Sequence, residues 1–144
     1  MITIDQSQTQ QAILQVMLTQ ALLSQKQAYA PYSQFSVGCC VRSANHLLFN
    51  GCNVENAAYP SCQCAEVSAI SAMIVAGEKS ILDMVIVGSN NKPCPPCGNC
   101  RQVISEFATD KTHLYLFADH HLHQTLSLCD ILPHAFNNHT LCPE

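Results

Sequence analysis

Apolar and polar positions follow two rhythms along the chain. Between 9 and 28, Ile13, Val16, Met17, Ala21 and Leu22 recur at helical spacing, and Leu14, Leu18 and Leu23 widen the stripe. This predicts an amphipathic helix that faces a core and carries no chemistry. Pro31 ends the pattern, because the residue before a proline is pushed out of the α region. Two short, mostly uncharged runs follow at 35–42 and 46–53. They read as strands joined by a hairpin turn at Ser43-Ala44-Asn45. Gly38, inside the first run, marks a bulge or a close backbone approach.

Pro60-Ser61 predicts the opening of a second helix, which Gly77 stops. Residues 81–88 are almost continuously apolar, as expected of a strand at the centre of a sheet. Pro95 and Pro96 lead into a third helix over 97–108, whose first turn needs no N–H from them. Strands are predicted at 113–118 and 124–128. Between them Asp119-His120-His121-Leu122-His123 reads as a solvated hairpin in preference to a metal site. A short helical turn ends at Ile131-Leu132-Pro133, and 137–144 is a polar tail. The order α-β-β-α-β-α-β-β-α, without repeat or linker, predicts one domain over 1–144 with one mixed sheet and helices packed on it.

Composition narrows the function. Of 144 residues 48% are apolar and only 11% charged, which excludes a disordered chain and suggests surface covered by another subunit. A formal charge of −4 leaves no footprint for a phosphate backbone, so a small neutral ligand is expected and no nucleic acid. No basic segment precedes Ile13, and Gln15, Thr19 and Gln20 interrupt the apolar stretch 13–23. A cytoplasmic protein with no membrane span is expected. The ten cysteines then point to metal before disulfides.

The chemistry concentrates in Ser61-Cys62-Gln63-Cys64-Ala65-Glu66 and Pro96-Cys97-Gly98-Asn99-Cys100. Cys97 and Cys100 lie one turn apart at a predicted helix start, and Cys64 lies near another. If the two starts meet, their partial positive ends would favour the thiolates. Three soft ligands can hold one zinc per chain and leave its fourth position for water, with Glu66 beside it as proton carrier. Cys62 or Cys94 as a fourth ligand would close the site and make it structural. A redox Cys97-x-x-Cys100 pair would need neither Cys64 nor Glu66. Upstream, Asn53, Glu55 and Asn56 place polar groups in the approach to the motif. Cys39, Cys40, Cys52, Cys129 and Cys142 read as buried, space-filling thiols.

On these motifs the sequence resembles the small, cysteine-ligated cytidine deaminases that act on free nucleosides. The resemblance runs from 29 to 136. It rests on Tyr29-Ala30-Pro31-Tyr32-Ser33, Phe35-Ser36-Val37-Gly38, Gly51-Cys52-Asn53-Val54-Glu55-Asn56-Ala57, Cys64-Ala65-Glu66, Pro96-Cys97-Gly98-Asn99-Cys100-Arg101-Gln102 and Leu132-Pro133-His134-Ala135-Phe136. It implies an α/β fold, a three-layer α/β/α sandwich around a central mixed five-stranded sheet. It implies hydrolytic deamination of cytidine and 2′-deoxycytidine, with zinc on Cys64, Cys97 and Cys100 and with Glu66 as the catalytic proton shuttle. Asn53 and Glu55 would bind the ribose 3′-hydroxyl. Phe35 and Phe136 would pack on the pyrimidine, and the Ala65 backbone would read its polar edge. Ala57 and Tyr59 would reach a neighbouring subunit's substrate in a homotetramer.

One departure stands out. Family members of this size carry arginine directly after the catalytic glutamate, and here that residue is Val67. A blasticidin-type aminonucleoside deaminase is the alternative that Val67 supports, although the Asn53-x-Glu55-Asn56 motif and both aromatic ends favour cytidine. A non-catalytic zinc module would need none of Glu66, Asn53 or Glu55.

Overall fold

Alternate side chains of the central strands enter two different cores, and this alternation builds the molecule. The computed structural model describes residues 2–3 and 9–137. The described elements are β1 (Ile2–Thr3), α1 (Gln10–Gln25), β2 (Val37–Ser43), β3 (Leu47–Cys52), a 3-10 turn (Tyr59–Ser61), α2 (Ala65–Val75), β4 (Ile81–Gly88), α3 (Gly98–Phe107), β5 (Ala108–Ala118), β6 (His121–Ser127) and α4 (Leu128–Ile131). Cys39 and Val41 of β2, Met84 and Ile86 of β4, and Leu114 and Leu116 of β5 pack with Ala69, Ile70 and Met73 of α2, Ile104 of α3 and Ile131 of α4. Their alternates Cys40, Val85, Val87, Tyr115 and Phe117 pack with Ile13, Leu14, Met17, Leu18 and Ala21 of α1. The result is the expected three-layer α/β/α sandwich.

The sheet order is β1-β3-β2-β4-β5-β6. All pairs are antiparallel except β4 and β5, which run parallel, so the sheet is mixed and β4 lies in its interior. The five expected strands are present, and β1 adds a two-residue edge. Glycines let two helices approach the sheet closely. A Cβ at Gly38 would stand 2.0 Å from the Ala21 carbonyl oxygen of α1, so that glycine marks a close approach. One at Gly51 would stand 2.3 Å from the Ala65 carbonyl oxygen and 2.4 Å from the Ala69 nitrogen of α2.

Some boundaries differ from those expected, for local reasons. Pro60-Ser61 lies in the 3-10 turn, and α2 begins only at Ala65. Strand β5 begins at Ala108, earlier than predicted, because Ala108 pairs with Ile81 and a register shift carries the polar stretch that follows. Thr112 ties that stretch down: its hydroxyl donates to the Ile81 carbonyl oxygen at 2.6 Å and accepts from the Thr109 amide at 2.8 Å. Asp119 and His120, at φ 48° and 63°, make a tight hairpin, so β6 starts at His121 and the histidine-rich segment is exposed. Cys39 and Cys40 are buried, but Cys52 is only half-buried and Cys129 is exposed, against expectation. Cys142 and all of the tail but Asn137 lie outside the described residues.

Candidate active site

The starts of α2 and α3 meet at three sulfurs. Cys64 is the N-cap residue of α2 and Cys97 that of α3. Their Sγ atoms are 3.8 Å apart, Cys97 and Cys100 Sγ are 3.4 Å apart, and the ligand atoms of all three residues lie within 4.8 Å of one another. Tetrahedral zinc with Zn–S bonds of about 2.3 Å places its sulfurs about 3.8 Å from each other, so the donor set fits that ion in kind and in spacing. The Cys100 amide donates to Cys97 Sγ at 3.4 Å, which puts a helix N-terminal N–H to use.

The thiols polarise one another. Hydrogen bonds from Cys100, and then Cys97, draw the Cys64 pKa down to about 6, against burial and the nearby Glu66 charge. The same bond to Cys64, together with burial, pushes the Cys100 thiol up. Among the described residues no fourth ligand joins the group. Cys62 Sγ instead accepts from the Asn56 amide at 3.3 Å. Cys94 faces a cavity, its pKa pushed up to about 11 by burial and then by the charges of Glu66, Cys64 and Cys97. The described residues thus offer a metal three protein ligands.

Glu66, in the first turn of α2, is buried at 4% exposure. Burial raises its pKa, partly offset by hydrogen bonds from its own backbone and from Cys100. It lines a cavity of about 350 Å³ with Cys64, Ala65, Cys97, Phe35, Asn53 and Glu55, so seven predicted site residues converge there. Ser33, Val37, Cys94 and Pro95 complete the lining and were not expected as site residues. Ser33 belongs to the Tyr29-Ala30-Pro31-Tyr32-Ser33 motif, and Cys94, a candidate fourth ligand by sequence, stands in the cavity wall. Cys100 lies beneath, fully buried.

The polar side of the cavity is tightly tied. Asn53 Oδ1 accepts from the Val37 amide at 2.8 Å, and its Nδ2 donates to the Phe35 carbonyl oxygen at 2.9 Å. Asn53 thus anchors the entry to β2 and keeps one lone pair and one N–H for a ligand. Glu55 Oε2 accepts from the Tyr32 and Ser33 amides at 2.8 and 3.2 Å, and Oε1 accepts a short bond from the Ser33 hydroxyl. Ser33 Oγ in turn accepts from the Phe35 amide at 3.0 Å, linking Glu55 to the aromatic wall.

The sequence profile of the cytidine and deoxycytidylate deaminase zinc-binding region matches residues 11–116, a span that includes both cysteine motifs. The chain belongs to that deaminase family. It is 41% identical to a cytidine deaminase of Mycoplasma pneumoniae over 114 residues, 78% of this chain and 85% of that protein. It is 33% identical to one of Halalkalibacterium halodurans over 122 residues, 85% of this chain and 92% of that protein. Among solved structures, a cytidine deaminase from Burkholderia pseudomallei superimposes with a TM-score of 0.80 at 35% identity, covering 90% of this chain and all of that one. Family membership and the cysteine cluster together make this a zinc-binding hydrolytic deaminase, with one zinc site among the described residues.

Three predicted residues stand outside the cavity. Ala57 is exposed. Tyr59 is 71% exposed, its ring edge-on to Tyr32 at 6.0 Å across a second hollow of about 300 Å³. Phe136 is 55% exposed, and its carbonyl oxygen accepts from Gln102 Nε2 of α3 at 2.7 Å. Val67 packs partly buried against the core, so this family departure serves packing. Arg101 does not replace the missing charge through a contact with sulfur; its Nε donates to the Pro96 carbonyl oxygen at 2.9 Å.

Proposed function

We propose that the protein hydrolyses cytidine and 2′-deoxycytidine to uridine and 2′-deoxyuridine with release of ammonia. One observation carries this reading: a buried carboxylate, Glu66, shares one cavity with the metal-binding sulfurs and with Asn53 and Glu55. Cys64, Cys97 and Cys100 would hold a zinc ion, which would supply a Lewis acid to activate the attacking water. Glu66 takes one proton from the attacking water and hands it to N3 of the pyrimidine. It then passes the second to the 4-amino group, which departs as ammonia. Burial raises the Glu66 pKa and suits it to carrying a proton in both directions.

Asn53 and Glu55 hold the ribose 3′-hydroxyl, an amide and a carboxylate reading a neutral sugar. Phe35 packs on the pyrimidine, and the Ala65 backbone reads its polar edge. Phe136 closes on the pyrimidine as well, and Ala57 and Tyr59 reach a neighbouring subunit's substrate in a homotetramer. The exposure of all three supports this division of labour. Residues 1–144 act as one domain in the cytoplasm; among the described residues no helix is long and apolar enough to cross a membrane.

The test is the ultraviolet absorbance of cytidine and deoxycytidine incubated with zinc-loaded protein, alongside metal analysis. Loss of the cytidine spectrum with one zinc per chain is expected. One zinc with no change on cytidine, deoxycytidine or blasticidin S would leave a structural zinc module. Glu66→Ala should keep its zinc and lose about 10²- to 10⁴-fold in kcat. A fully active variant would remove Glu66 from the mechanism.

A further inference from the structure

We propose that Cys94 sets the size of the group tolerated at C5 of the pyrimidine, and so which 5-substituted cytidines are accepted. The inference rests on the deaminase reading, which fixes three points of the ring. C4 must approach the sulfurs, N3 must face Glu66, and N1 carries the sugar towards Asn53 and Glu55. With Phe35 packed on the ring face, the C5–C6 edge is left to the remaining wall, which Val37, Cys94 and Pro95 supply. Cys94 lines the same cavity as Cys64, Cys97 and Glu66, which puts it on the side where C4 lies. Its neighbour on the ring is accordingly C5.

The wall has a firm backing. Phe35 and Cys94 both rest on Gly88 at the end of β4. A Cβ built there would stand 2.9 Å from Phe35 Cζ and 3.1 Å from Cys94 Cβ. With the strand behind it, side chain 94 cannot retreat, and its volume trades directly against the volume of the ring substituent. One methylene in such a pocket changes discrimination by about 10- to 200-fold.

The experiment compares zinc-loaded wild type, Cys94→Ala and Cys94→Leu on 5-iodocytidine and cytidine, as the ratio of their kcat/KM values. In parallel, calorimetry compares the binding of 5-iodouridine and uridine. The ratio favouring the iodo compound should rise about tenfold or more in Cys94→Ala and fall in Cys94→Leu, in both measurements. Cys94→Val, closer in size to cysteine, should fall between wild type and Cys94→Leu, and stands in if either variant fails to fold. Ratios that ignore the size of residue 94 overturn the proposal. A wild type that binds uridine but leaves cytidine unchanged overturns the deaminase reading instead, while the binding ratios still decide the role of Cys94.

Discussion

Glu55 accepts from two backbone amides and a hydroxyl before any substrate arrives. Its pKa lies below the ordinary 4.5, chiefly through the Ser33 hydroxyl, with desolvation opposing and the Tyr32 and Ser33 amides adding to the lowering. A carboxyl whose folded pKa is lowered stabilises the fold above its unfolded value and loses that contribution as pH falls through the folded one. The Tyr32 and Ser33 amides should therefore keep their hydrogen-exchange protection above about pH 4.5 and lose it as the pH drops further. In Glu55→Gln, protection at these amides should no longer vary with pH over that range. Val67 presents the reverse case, a charge not supplied. Since it packs against the core and Arg101 is engaged at Pro96, the helix starts and the Cys100 amide are the groups beside the sulfurs that would offset thiolate charge. In a chelator titration Val67→Arg should hold zinc about tenfold more tightly, equivalent to ~1.4 kcal/mol of added charge compensation. Equal retention would show that helix ends and amides suffice.

At the scale of elements, the site is a meeting of two helix starts, and whatever positions α2 positions Cys64 and Glu66. Gly51 of β3 does so by admitting the α2 backbone against the strand. Gly51→Ala should cost about 1–3 kcal/mol in urea unfolding and weaken zinc binding as Cys64 is displaced. Gly98, beside Cys97 but with nothing within 4 Å of an added Cβ, is the control: Gly98→Ala should change stability far less. Strand β4 and the stripe of α1 were legible in the sequence because a long apolar run and a 3.6-residue period admit few other readings. The start of α2 was not, because Cys64 caps it without a side-chain hydrogen bond while the usual proline signal marks a 3-10 turn. The grouping of Cys64, Cys97 and Cys100 was readable from spacing. Asn53 was readable as a polar group near the motif, but its partners at Val37 and Phe35, and the bond from Ser33 to Glu55, were not, since the folded backbone chooses them.

For the molecule as a whole, the surface next to the cavity argues for more than one chain. Tyr29, Tyr32, Val54 and Tyr59 are all exposed. The backbone beneath them is nonetheless fixed. Val54 exchanges both amide hydrogen bonds with Gln63 at 2.9 Å, and Tyr29 bonds Asn53 and Glu55 at 3.0 and 2.8 Å. Exposed aromatic groups on an ordered frame are what an interface presents, because large rigid side chains lose little entropy on burial. With 11% of residues charged, little opposes their contact. In the proposed homotetramer, Tyr59→Glu should therefore give smaller species in light scattering, since an unpaired carboxylate would be buried where a ring packed. Its deaminase activity should also fall, and fall further on dilution, if Tyr59 completes a neighbour's site. Tyr59→Phe should leave the mass unchanged, because the ring supplies the contact. A Tyr59→Glu protein with the wild-type mass and full activity would mean that the patch is solvent-facing and that each cavity works alone.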